Sequence, residues 1–317
     1  MSARQYLITG GAGFIGSAIA RRLLDRGDAV TIVDNLSSGS MQNVPERARF
    51  VNADLRDEQA LDAIAGDGID GILHLGAQPS AEISQAEPQY TFDTNERGTF
   101  QLLQWADRHR IRRVLFASSM AVYGSASGSL SEDSPLLPAS IYGVTKIAGE
   151  MAVSLFGRQG GQPTCLRMFN VYGPGQNLTN MRQGMVSIYL AFLLRGEPIL
   201  VKGADDRYRD LIYIDDVVDG WMAALDRQES IGRVYNLGTG VRTTVRMLID
   251  GLIAAAAERR DYPVVCGDPT AGDVHGSVAD IARASAELGW RPRVDVGEGL
   301  RRTVAWARQQ PAVALGR

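Results

Sequence analysis

A phenol and an ammonium group stand four residues apart in the segment Tyr142-Gly143-Val144-Thr145-Lys146. This spacing places both on one face of an α-helix, which Pro138 and the N-cap candidate Ser140 are expected to begin. Lysine is rare, since only Lys146 and Lys202 occur among 33 basic residues. With ten Tyr and two Lys in the chain, chance would produce Tyr-x-x-x-Lys about 0.06 times. The pair therefore predicts a site of proton transfer.

Two hydroxyl groups, those of Ser118 and Ser119, follow the apolar run at residues 114–117. Parallel α/β sheets place ligands beyond the carboxyl ends of their strands, so we expect Ser119 to hydrogen-bond the reacting oxygen. A serine pair that only caps a strand end is the alternative. The three histidines predict no metal site, because His74 lies in an apolar run and the other two lack partners at ligand spacing.

The run Gly10-Gly11-Ala12-Gly13-Phe14-Ile15-Gly16 fits both G-x-G-x-x-G and G-x-x-G-x-x-G. A strand pattern precedes it, a helix pattern follows it, and Asp34 ends the next strand pattern. This context is typical of dinucleotide binding at a helix N-terminus, rather than of a glycine-rich turn without a ligand. A carboxylate at Asp34 can accept from a ribose 2′-hydroxyl but repels a 2′-phosphate, so NAD is favoured over NADP.

A nicotinamide cofactor would complete the chemistry of the Tyr142 and Lys146 pair. The pKa of a phenol must fall from about 10 toward about 7 before the phenol serves as a base, which corresponds to about 4 kcal/mol. A nearby ammonium and the positive nicotinamide ring can supply that stabilisation together. Lysine suits the role better than arginine, because its compact charge can also bond the nicotinamide ribose.

Strand and helix patterns alternate through the first half of the chain, with strand-like runs at 6–9, 29–33, 72–75, 114–117 and 165–168. Alternation of this kind predicts an α/β fold with a doubly wound parallel sheet. The pattern changes near Asn170, where we expect a smaller α/β substrate domain to begin. The predicted division is a NAD-binding Rossmann domain of residues 1–169 plus about 210–240, and a substrate domain of residues 170–209 plus about 241–317.

Composition excludes several classes of protein. The 317 residues carry a net charge of -3, so no basic field favours nucleic acid. No apolar run approaches the roughly 20 residues of a membrane span, and two cysteines cannot build a disulfide framework. The first residues lack the apolar stretch of a secretory signal, so a cytoplasmic location is expected.

These motifs, in this order, resemble the extended short-chain dehydrogenase/reductase family, specifically its NAD-dependent nucleotide-sugar epimerases and dehydratases. The likeness covers nearly the whole chain. The segments that carry it are 9–16, Asp34-Asn35, Asp54-Leu55, 74–78, Asn95 with Gly98-Thr99, 118–124, 142–146, 167–174, Arg209-Asp210, 215–217 and 236–240.

The resemblance implies a set of site residues. Ser119, Tyr142 and Lys146 are the expected catalytic residues. The expected cofactor contacts are Gly10, Gly13, Phe14, Ile15, Gly16, Asp34, Asn35, Ser37, Ser38, Gly39, Asp54, Leu55, Leu75, Gly76, Ala77, Gln78, Asn95, Ala117, Ser118, Tyr142, Lys146, Phe169 and Val171. Asp54 and Leu55 would contact adenine, and Phe169 and Val171 would lie near the nicotinamide. A solvated loop explains the polar turn 35–39 almost as well. The expected substrate contacts are Ser119, Tyr142, Asn170, Arg209, Asp273 and Ser277.

Two departures from the family pattern narrow the activity. Sugar dehydratases carry an acidic pair directly after the catalytic hydroxyl residue, and nucleotide-glucuronate decarboxylases carry a Glu there. This chain has Met120-Ala121 in that place. Many UDP-hexose epimerases also have an Arg shortly before Gly-Asp to hold the diphosphate, whereas this chain has Thr270 before Gly272-Asp273. The second departure leaves the identity of the nucleotide open.

The resemblance therefore favours C4 epimerisation of a UDP-hexose, N-acetylhexosamine or uronate. Tyr142 would take the proton of the sugar hydroxyl, and a hydride would pass to NAD and return to the other face of a transient 4-keto sugar. An NAD(P)-dependent oxidoreductase or a dehydratase of the same fold is one alternative. A catalytically silent NAD-binding regulator is another, which the intact Ser119, Tyr142 and Lys146 disfavour.

Two further expectations follow from the resemblance. Helices at about 95–109 and 142–156 form a four-helix dimer interface in relatives, so a homodimer is expected. The small Gly276-Ser277 falls where bulk beside the sugar C2 substituent excludes an N-acetyl group in hexose 4-epimerases. N-acetylhexosamines should therefore be accepted, unless this segment is a surface turn that never meets substrate.

Overall fold

A computed structural model describes residues 3–256 apart from positions 63, 65 and 67, together with residues 261–268 and 275–310. Its strands, in chain order, are β1 (Gln5–Thr9), β2 (Ala29–Asp34), β3 (Arg49–Asn52), β4 (Gly71–His74), β5 (Arg113–Ser119), β6 (Gly128–Leu130), β7 (Gln162–Met168), β8 (Asn170–Tyr172), β9 (Ile199–Lys202), β10 (Tyr208–Arg209), β11 (Leu211–Tyr213), β12 (Arg233–Leu237), β13 (Thr243–Thr244), β14 (Val264–Gly267) and β15 (Ser277–Ala279).

Helices flank and follow these strands. They are α1 (Phe14–Asp25), α2 (Glu58–Asp62), α3 (Ala81–Ala86), α4 (Pro88–Phe92), α5 (Gly98–Arg108), α6 (Ile141–Arg158), α7 (Met185–Arg195), α8 (Ile214–Asp226), α9 (Val245–Ala256), α10 (Ala282–Leu288) and α11 (Val296–Ala307). A π-helix, Asp93–Arg97, joins α4 to α5. No helix in the described part of the chain is long and apolar enough to cross a membrane.

Seven strands form one parallel sheet in the order β3-β2-β1-β4-β5-β7-β12. The expectation of a doubly wound parallel sheet is confirmed. The order of the strands changes direction at β1 and β4: β2 and β3 lie on one side of this pair, and β5, β7 and β12 lie on the other. Such folds bind ligands at this point, at the carboxyl ends of the strands. The chain returns to this sheet after residue 232, where β12 pairs with β7.

Apolar side chains cover both faces of the sheet because helices pack on each. Within β1, Leu7 belongs to the core that contains Trp105 of α5, and Ile8 belongs to the core that contains Trp221 of α8. Both tryptophans are fully buried. The sheet is therefore rigid enough to fix the loops that leave its carboxyl edge.

Four short strand pairs lie outside the main sheet: β6 with β15, β8 with β11, β9 with β14, and β10 with β13. Among these short strands, β11 ends at Tyr213 and the next residue, Ile214, begins α8. The sequence pattern did not predict β3. This strand lies at the sheet edge, and its side chains are half-buried or exposed, without a clear apolar pattern.

The helix that carries Tyr142 and Lys146 begins as its sequence predicts. Ser140 has extended backbone, and its hydroxyl accepts a hydrogen bond of 3.1 Å from the backbone N–H of Gly143. Tyr142, Lys146 and Glu150 all lie on the buried face of α6. The other predicted helix starts differently, since residues 93–97 are a π-helix and α5 begins at Gly98.

Candidate active site

The glycine-rich segment forms the tight turn between β1 and α1. Gly10 has φ +68°, and a Cβ there would lie 2.7 Å from the Gly76 nitrogen. A Cβ on Gly16 would lie 2.3 Å from the Gly10 carbonyl oxygen. Gly13 is the N-cap of α1, and no side chain caps this helix end. The turn therefore leaves the first N–H groups of α1 without a side-chain acceptor, as a pyrophosphate site requires.

Asp34 ends β2 directly beside this turn. Its carboxylate accepts hydrogen bonds from the backbone N–H of Ala12 at 3.0 Å and of Leu36 at 2.8 Å. Burial raises the pKa of Asp34, and the two backbone hydrogen bonds act in the opposite direction. Each carboxylate oxygen retains a lone pair for a ribose hydroxyl. The position fits the predicted contact with the adenosine ribose.

Replacing Asp34 should change the cofactor preference. We expect Asp34→Ala and the isosteric Asp34→Asn to shift the ratio of the NAD and NADP dissociation constants toward NADP by about tenfold or more, because both lose a hydrogen bond to a charged group. Isothermal titration with each cofactor measures the ratio. Asp34→Asn keeps the size of the side chain and one of its two acceptor oxygens, so it retains at most one of the Ala12 and Leu36 contacts. An unchanged ratio in both variants would contradict the assignment.

The adenine side of the predicted site is held by a polar cluster. The Asn35 amide donates to Asp54 at 2.9 Å, and Arg56 pairs with Asp54 at 2.7 Å. The Arg56 hydrogen bond is the main reason why the pKa of Asp54 is low. Leu55, the next residue, packs close to Gly76 and Gly98. Asp54 is therefore occupied by protein partners, while Leu55 supplies an apolar surface.

A second cluster ties the loop after β4 to α6. The Asn95 amide donates to the Gln78 carbonyl at 3.1 Å and to the Thr145 hydroxyl at 2.9 Å. The backbone N–H of Gln78 in turn donates to Asn95 at 2.8 Å. Asn95 therefore fixes the loop 75–78 against the helix that carries Tyr142 and Lys146.

His74 is confirmed as an interior residue with satisfied hydrogen bonds. Its two ring nitrogens lie 2.7 Å from the Thr9 hydroxyl and 2.8 Å from the Thr99 hydroxyl. Burial lowers the pKa of His74 to about 3, so the ring is neutral at physiological pH. Its contacts join β4 to β1 and α5.

The structure brings Ser119 and Tyr142 together. Ser119 ends β5, and its hydroxyl accepts from the Ala121 N–H at 3.2 Å. Burial raises the pKa of the Tyr142 phenol, and a side-chain hydrogen bond with Ser119 acts against that rise. The low phenol pKa expected from the sequence is thus not a property of the protein side chains alone. The positive charge of a bound nicotinamide must supply the rest.

Lys146 lies between two aromatic rings. Its Nζ is 5.0 Å from the Phe116 ring centroid and 5.7 Å from the Tyr142 ring centroid. Only 4% of the residue is exposed. Burial lowers the pKa of Lys146 to about 8, while Glu96 and then Glu150 raise it. The ammonium therefore sits beside the phenol, as the spacing predicts.

The hydroxyl of Ser118 points away from this group. It donates to Glu150 at 2.5 Å, and Glu150 also forms a bidentate ion pair with Arg167, at 2.8 and 2.7 Å. Arg167 reaches the Tyr123 hydroxyl at 3.0 Å as well. The proton of the Ser118 hydroxyl is therefore already used within the protein.

Asn170 and Arg209, two of the expected substrate contacts, lie at the β8–β11 pairing: Asn170 begins β8, and Arg209 ends β10, just before β11. The Asn170 amide donates to the Asp210 carbonyl at 2.9 Å and to the Met120 sulfur at 3.3 Å. Arg209 donates to the carbonyl of Tyr208 at 2.8 Å, and burial lowers its pKa. The Asp210 carbonyl therefore binds the Asn170 side chain, and Asp210 directly follows Arg209 in the chain.

Comparisons with known proteins agree with this geometry. The model of the NAD dependent epimerase/dehydratase family matches residues 6–238. The chain belongs to this family. It is 35% identical to the UDP-glucose 4-epimerase of Mycolicibacterium smegmatis, over 96% of this chain and 98% of that protein.

Two solved structures are also similar. The Thermus thermophilus UDP-glucose 4-epimerase in complex with NAD has a TM-score of 0.90 and 34% identity, covering 96% of this chain and 99% of that one. The UDP-N-acetylglucosamine 4-epimerase of Methanobrevibacter ruminantium, in complex with UDP-N-acetylmuramic acid, has a TM-score of 0.89 and 30% identity, covering 98% and 100%.

NAD is the cofactor of this NAD-dependent epimerase/dehydratase chain, and the described residues fit it. The uncapped start of α1 and the cradle that a Cβ on Gly16 would fill suit a pyrophosphate. Asp34 suits the adenosine ribose. Lys146 lies where its charge can act on both Tyr142 and a nicotinamide ribose. These residues would hold NAD with its nicotinamide near Tyr142.

The remaining predicted residues divide into three groups. Phe169 and Ser277 are buried, and Val171 is half-buried in β8. Ser37 and Ser38 are exposed in a loop whose backbone returns to Ala12. Asp273 and Thr270 lie outside the described residues.

Two residues of the site in this epimerase/dehydratase chain were missed by the sequence reasoning. Glu150 stands four residues after Lys146, so its helical spacing could have signalled it. Asp210 accepts hydrogen bonds from the backbone of Thr239, Gly240 and Ala279. Nothing local predicts that contact, because it joins segments that are distant in sequence.

Proposed function

We propose that the chain is an NAD-dependent nucleotide-sugar epimerase that inverts C4 of a UDP-hexose, N-acetylhexosamine or uronate. One observation favours epimerisation over dehydration. Met120 follows Ser119, and its sulfur accepts a hydrogen bond from the Asn170 amide. A thioether has no proton to donate to a leaving hydroxyl, so this position cannot serve as the acid that expels water.

Three side chains of the site, Tyr142, Ser119 and Lys146, have separate roles in the proton transfer. The Tyr142 phenolate takes the proton of the sugar 4-hydroxyl and later returns it. Ser119 acts on the phenol by lowering its pKa and can orient the same sugar oxygen. Lys146 stabilises the phenolate by its charge. When bound, NAD supplies a reversible hydride acceptor. Because a hydride is removed and then returned, the reaction has no net oxidation.

A substrate panel tests the proposal. Purified protein is incubated with UDP, dTDP, GDP and CDP sugars, and the products are followed by NMR. The expected result is a mixture of a UDP-sugar and its C4 epimer. A product that lacks its C6 hydroxyl would show a dehydratase. Stoichiometric reduction or oxidation of added cofactor would show a net oxidoreductase, and no turnover of any sugar would favour a silent NAD-binding protein.

The sugar pocket is expected to accept N-acetylhexosamines. Ser277 lies in β15, paired with Gly128 of β6, and is only 2% exposed. A larger side chain there must displace its neighbours or grow into the adjacent space. Ser277→Tyr should therefore lower kcat/KM for UDP-GlcNAc more than tenfold relative to UDP-Glc, since overfilling typically costs a few kcal/mol. Equal losses on both sugars would refute the assignment, and Ser277→Ala is the matched control.

A homodimer through α5 and α6 is part of the proposal. The two helices pack against each other, and large apolar side chains are exposed on them and at the end of α4. These side chains are Phe92, Phe100, Val144, Met151 and Leu155. A patch of this kind on a soluble domain favours a protein partner, and the shared helices point to a second copy.

Light scattering should therefore give a mass near twice the 34.3 kDa of one chain at micromolar concentration. Met151→Glu places a charge in the patch and should halve that mass. Met247→Glu is the matched control, because Met247 is also exposed but lies on α9. A monomeric wild-type protein would contradict the prediction.

The domain division and the location remain part of the same proposal. Pairing of β12 with β7 supports a NAD-binding unit of residues 1–169 plus about 210–240, with the rest forming the substrate unit. Limited proteolysis of the NAD complex would test this division. The expected cytoplasmic location would be tested by cell fractionation.

A further inference from the structure

A half-buried carboxyl group in the π-helix, which packs against α6, has no part in the chemistry described above. Glu96 lies in the π-helix Asp93–Arg97, directly after Asn95. The Asn95 amide donates to Thr145, the residue before Lys146, at 2.9 Å. This hydrogen bond places the π-helix against the α6 turn that carries Lys146. Segments of π-helix occur frequently at functional sites.

The Glu96 side chain is unusual in its surroundings. Its Oε1 is fully buried and has no hydrogen-bond partner among the described residues. Burying a carboxylate oxygen without a partner is costly, unless a nearby positive charge offsets the cost. Burial raises the pKa of Glu96 to about 7, and Lys146 lowers it. Lys146 is thus the positive charge that favours the ionised form of Glu96.

The other charged and titratable groups around Lys146 contribute less. Glu150 on α6 also raises the pKa of Lys146, but less than Glu96 does, and its carboxylate is already paired with Arg167 and hydrogen-bonded to Ser118. His74 approaches from β4 and is neutral. Tyr142, the remaining group on α6, is an uncharged phenol in the absence of bound cofactor. Glu96 is therefore the negative charge near Lys146 that no described cation neutralises.

We propose that Glu96 is a positioning residue, whose carboxylate holds Lys146 in its ammonium form beside Tyr142. The role is electrostatic, since no hydrogen bond or ion pair within 4 Å joins the two side chains in the described structure. A buried lysine loses its proton more easily than an exposed one because burial disfavours the charged form. Glu96 offsets this loss and so preserves the charge that stabilises the Tyr142 phenolate.

The scarcity of lysine allows a direct test. Protein labelled with ¹³C at the lysine Cε gives two side-chain signals, from Lys146 and Lys202. Lys202→Arg identifies them by removing one. Titration by NMR then measures the pKa of Lys146 without any substrate, and Lys202 serves as the internal control. Glu96→Gln keeps the shape of the side chain but removes its charge.

Glu96→Gln should lower the pKa of Lys146 by about 0.5 pH unit or more, with Lys202 unmoved. The sign follows because removal of a nearby negative charge makes the ammonium less stable. Glu96→Asp keeps the charge and should restore most of the wild-type value. Glu87→Gln, an exposed residue before α4, should have no effect. Circular dichroism establishes that each variant is folded.

Kinetics provide the second measurement, and they alone rest on the proposed function. The alkaline limb of the kcat profile should move to lower pH in Glu96→Gln by the same amount as the lysine titration. An unchanged Lys146 titration in folded Glu96→Gln would overturn the role of Glu96, whatever the enzyme activity. So would a Glu96→Asp variant that titrates like Glu96→Gln. A wild-type protein that turns over no sugar would instead overturn the proposed function and leave the titration valid.

If Glu96→Gln does not fold, Glu96→Asp alone decides: a Lys146 titration close to that of the wild type supports the role, and a pKa lowered by about 0.5 pH unit or more overturns it.

Discussion

Tyr142→Phe should reduce kcat by about 100-fold to 10,000-fold while leaving NAD bound, because general acid–base catalysis typically contributes this much. The variant removes only the hydroxyl that exchanges a proton with the sugar. The ring remains, so its contact with Lys146 is preserved. Turnover of the best panel sugar, followed by NMR, measures the loss. Cofactor released on denaturation measures the NAD content.

The control for this prediction is Tyr6→Phe. Tyr6 is a buried phenol in β1, outside the site, and its hydroxyl contacts Arg4 and Arg26. It should retain near-wild-type activity. Near-wild-type turnover in Tyr142→Phe itself would show that the phenol is not the acid and base. Loss of NAD from that variant would mean that the ring, instead of the hydroxyl, was being tested.

Lys146→Arg should reduce kcat about 100-fold even though it keeps a positive charge. The Lys146 ammonium lies 5.0 Å from the Phe116 centroid and 5.7 Å from the Tyr142 centroid, in a site with little exposure. A planar guanidinium is larger than an ammonium, and overpacking of a filled interior typically costs about 1–3 kcal/mol. The charge must therefore move away from the phenol and the ribose.

The chain provides a matched control for that substitution. Lys202→Arg changes the other lysine, which is exposed in β9, and should leave kcat unaltered. Steady-state kinetics of both variants with the same sugar give the comparison. Equal and unchanged kcat values would show that the point charge, and not its geometry, is all that the site requires.

Local features of this site could be predicted because their partners lie close in sequence. The Ser140 cap depends on Gly143, three residues away, and Tyr142 meets Lys146 through one helical turn. The glycine turn and Asp34 are likewise one strand–helix–strand unit. Spacing alone carries the information in each of these cases.

Contacts between distant segments could not be predicted in this way. Glu150 and Arg167 meet because α6 packs on β5 and β7, and neither residue type indicates a partner. The π-helix at Asp93–Arg97 follows from packing between α4, α5 and α6, which periodicity does not encode. Burial of the phenol, which raises its pKa, was also not visible in the spacing.

The position of β12 has a consequence for the order in which the protein is made. The strand completes the sheet at the edge of β7, and its Asn236 accepts from the Tyr123 hydroxyl across 113 positions of sequence. Six strands of the sheet leave the ribosome before β12 does, so β7 has an open edge for part of synthesis. The Tyr123 hydroxyl gains its last partner only when residue 236 emerges. The β7 edge of the sheet is therefore closed late in synthesis, well after the glycine-rich turn between β1 and α1 has been made.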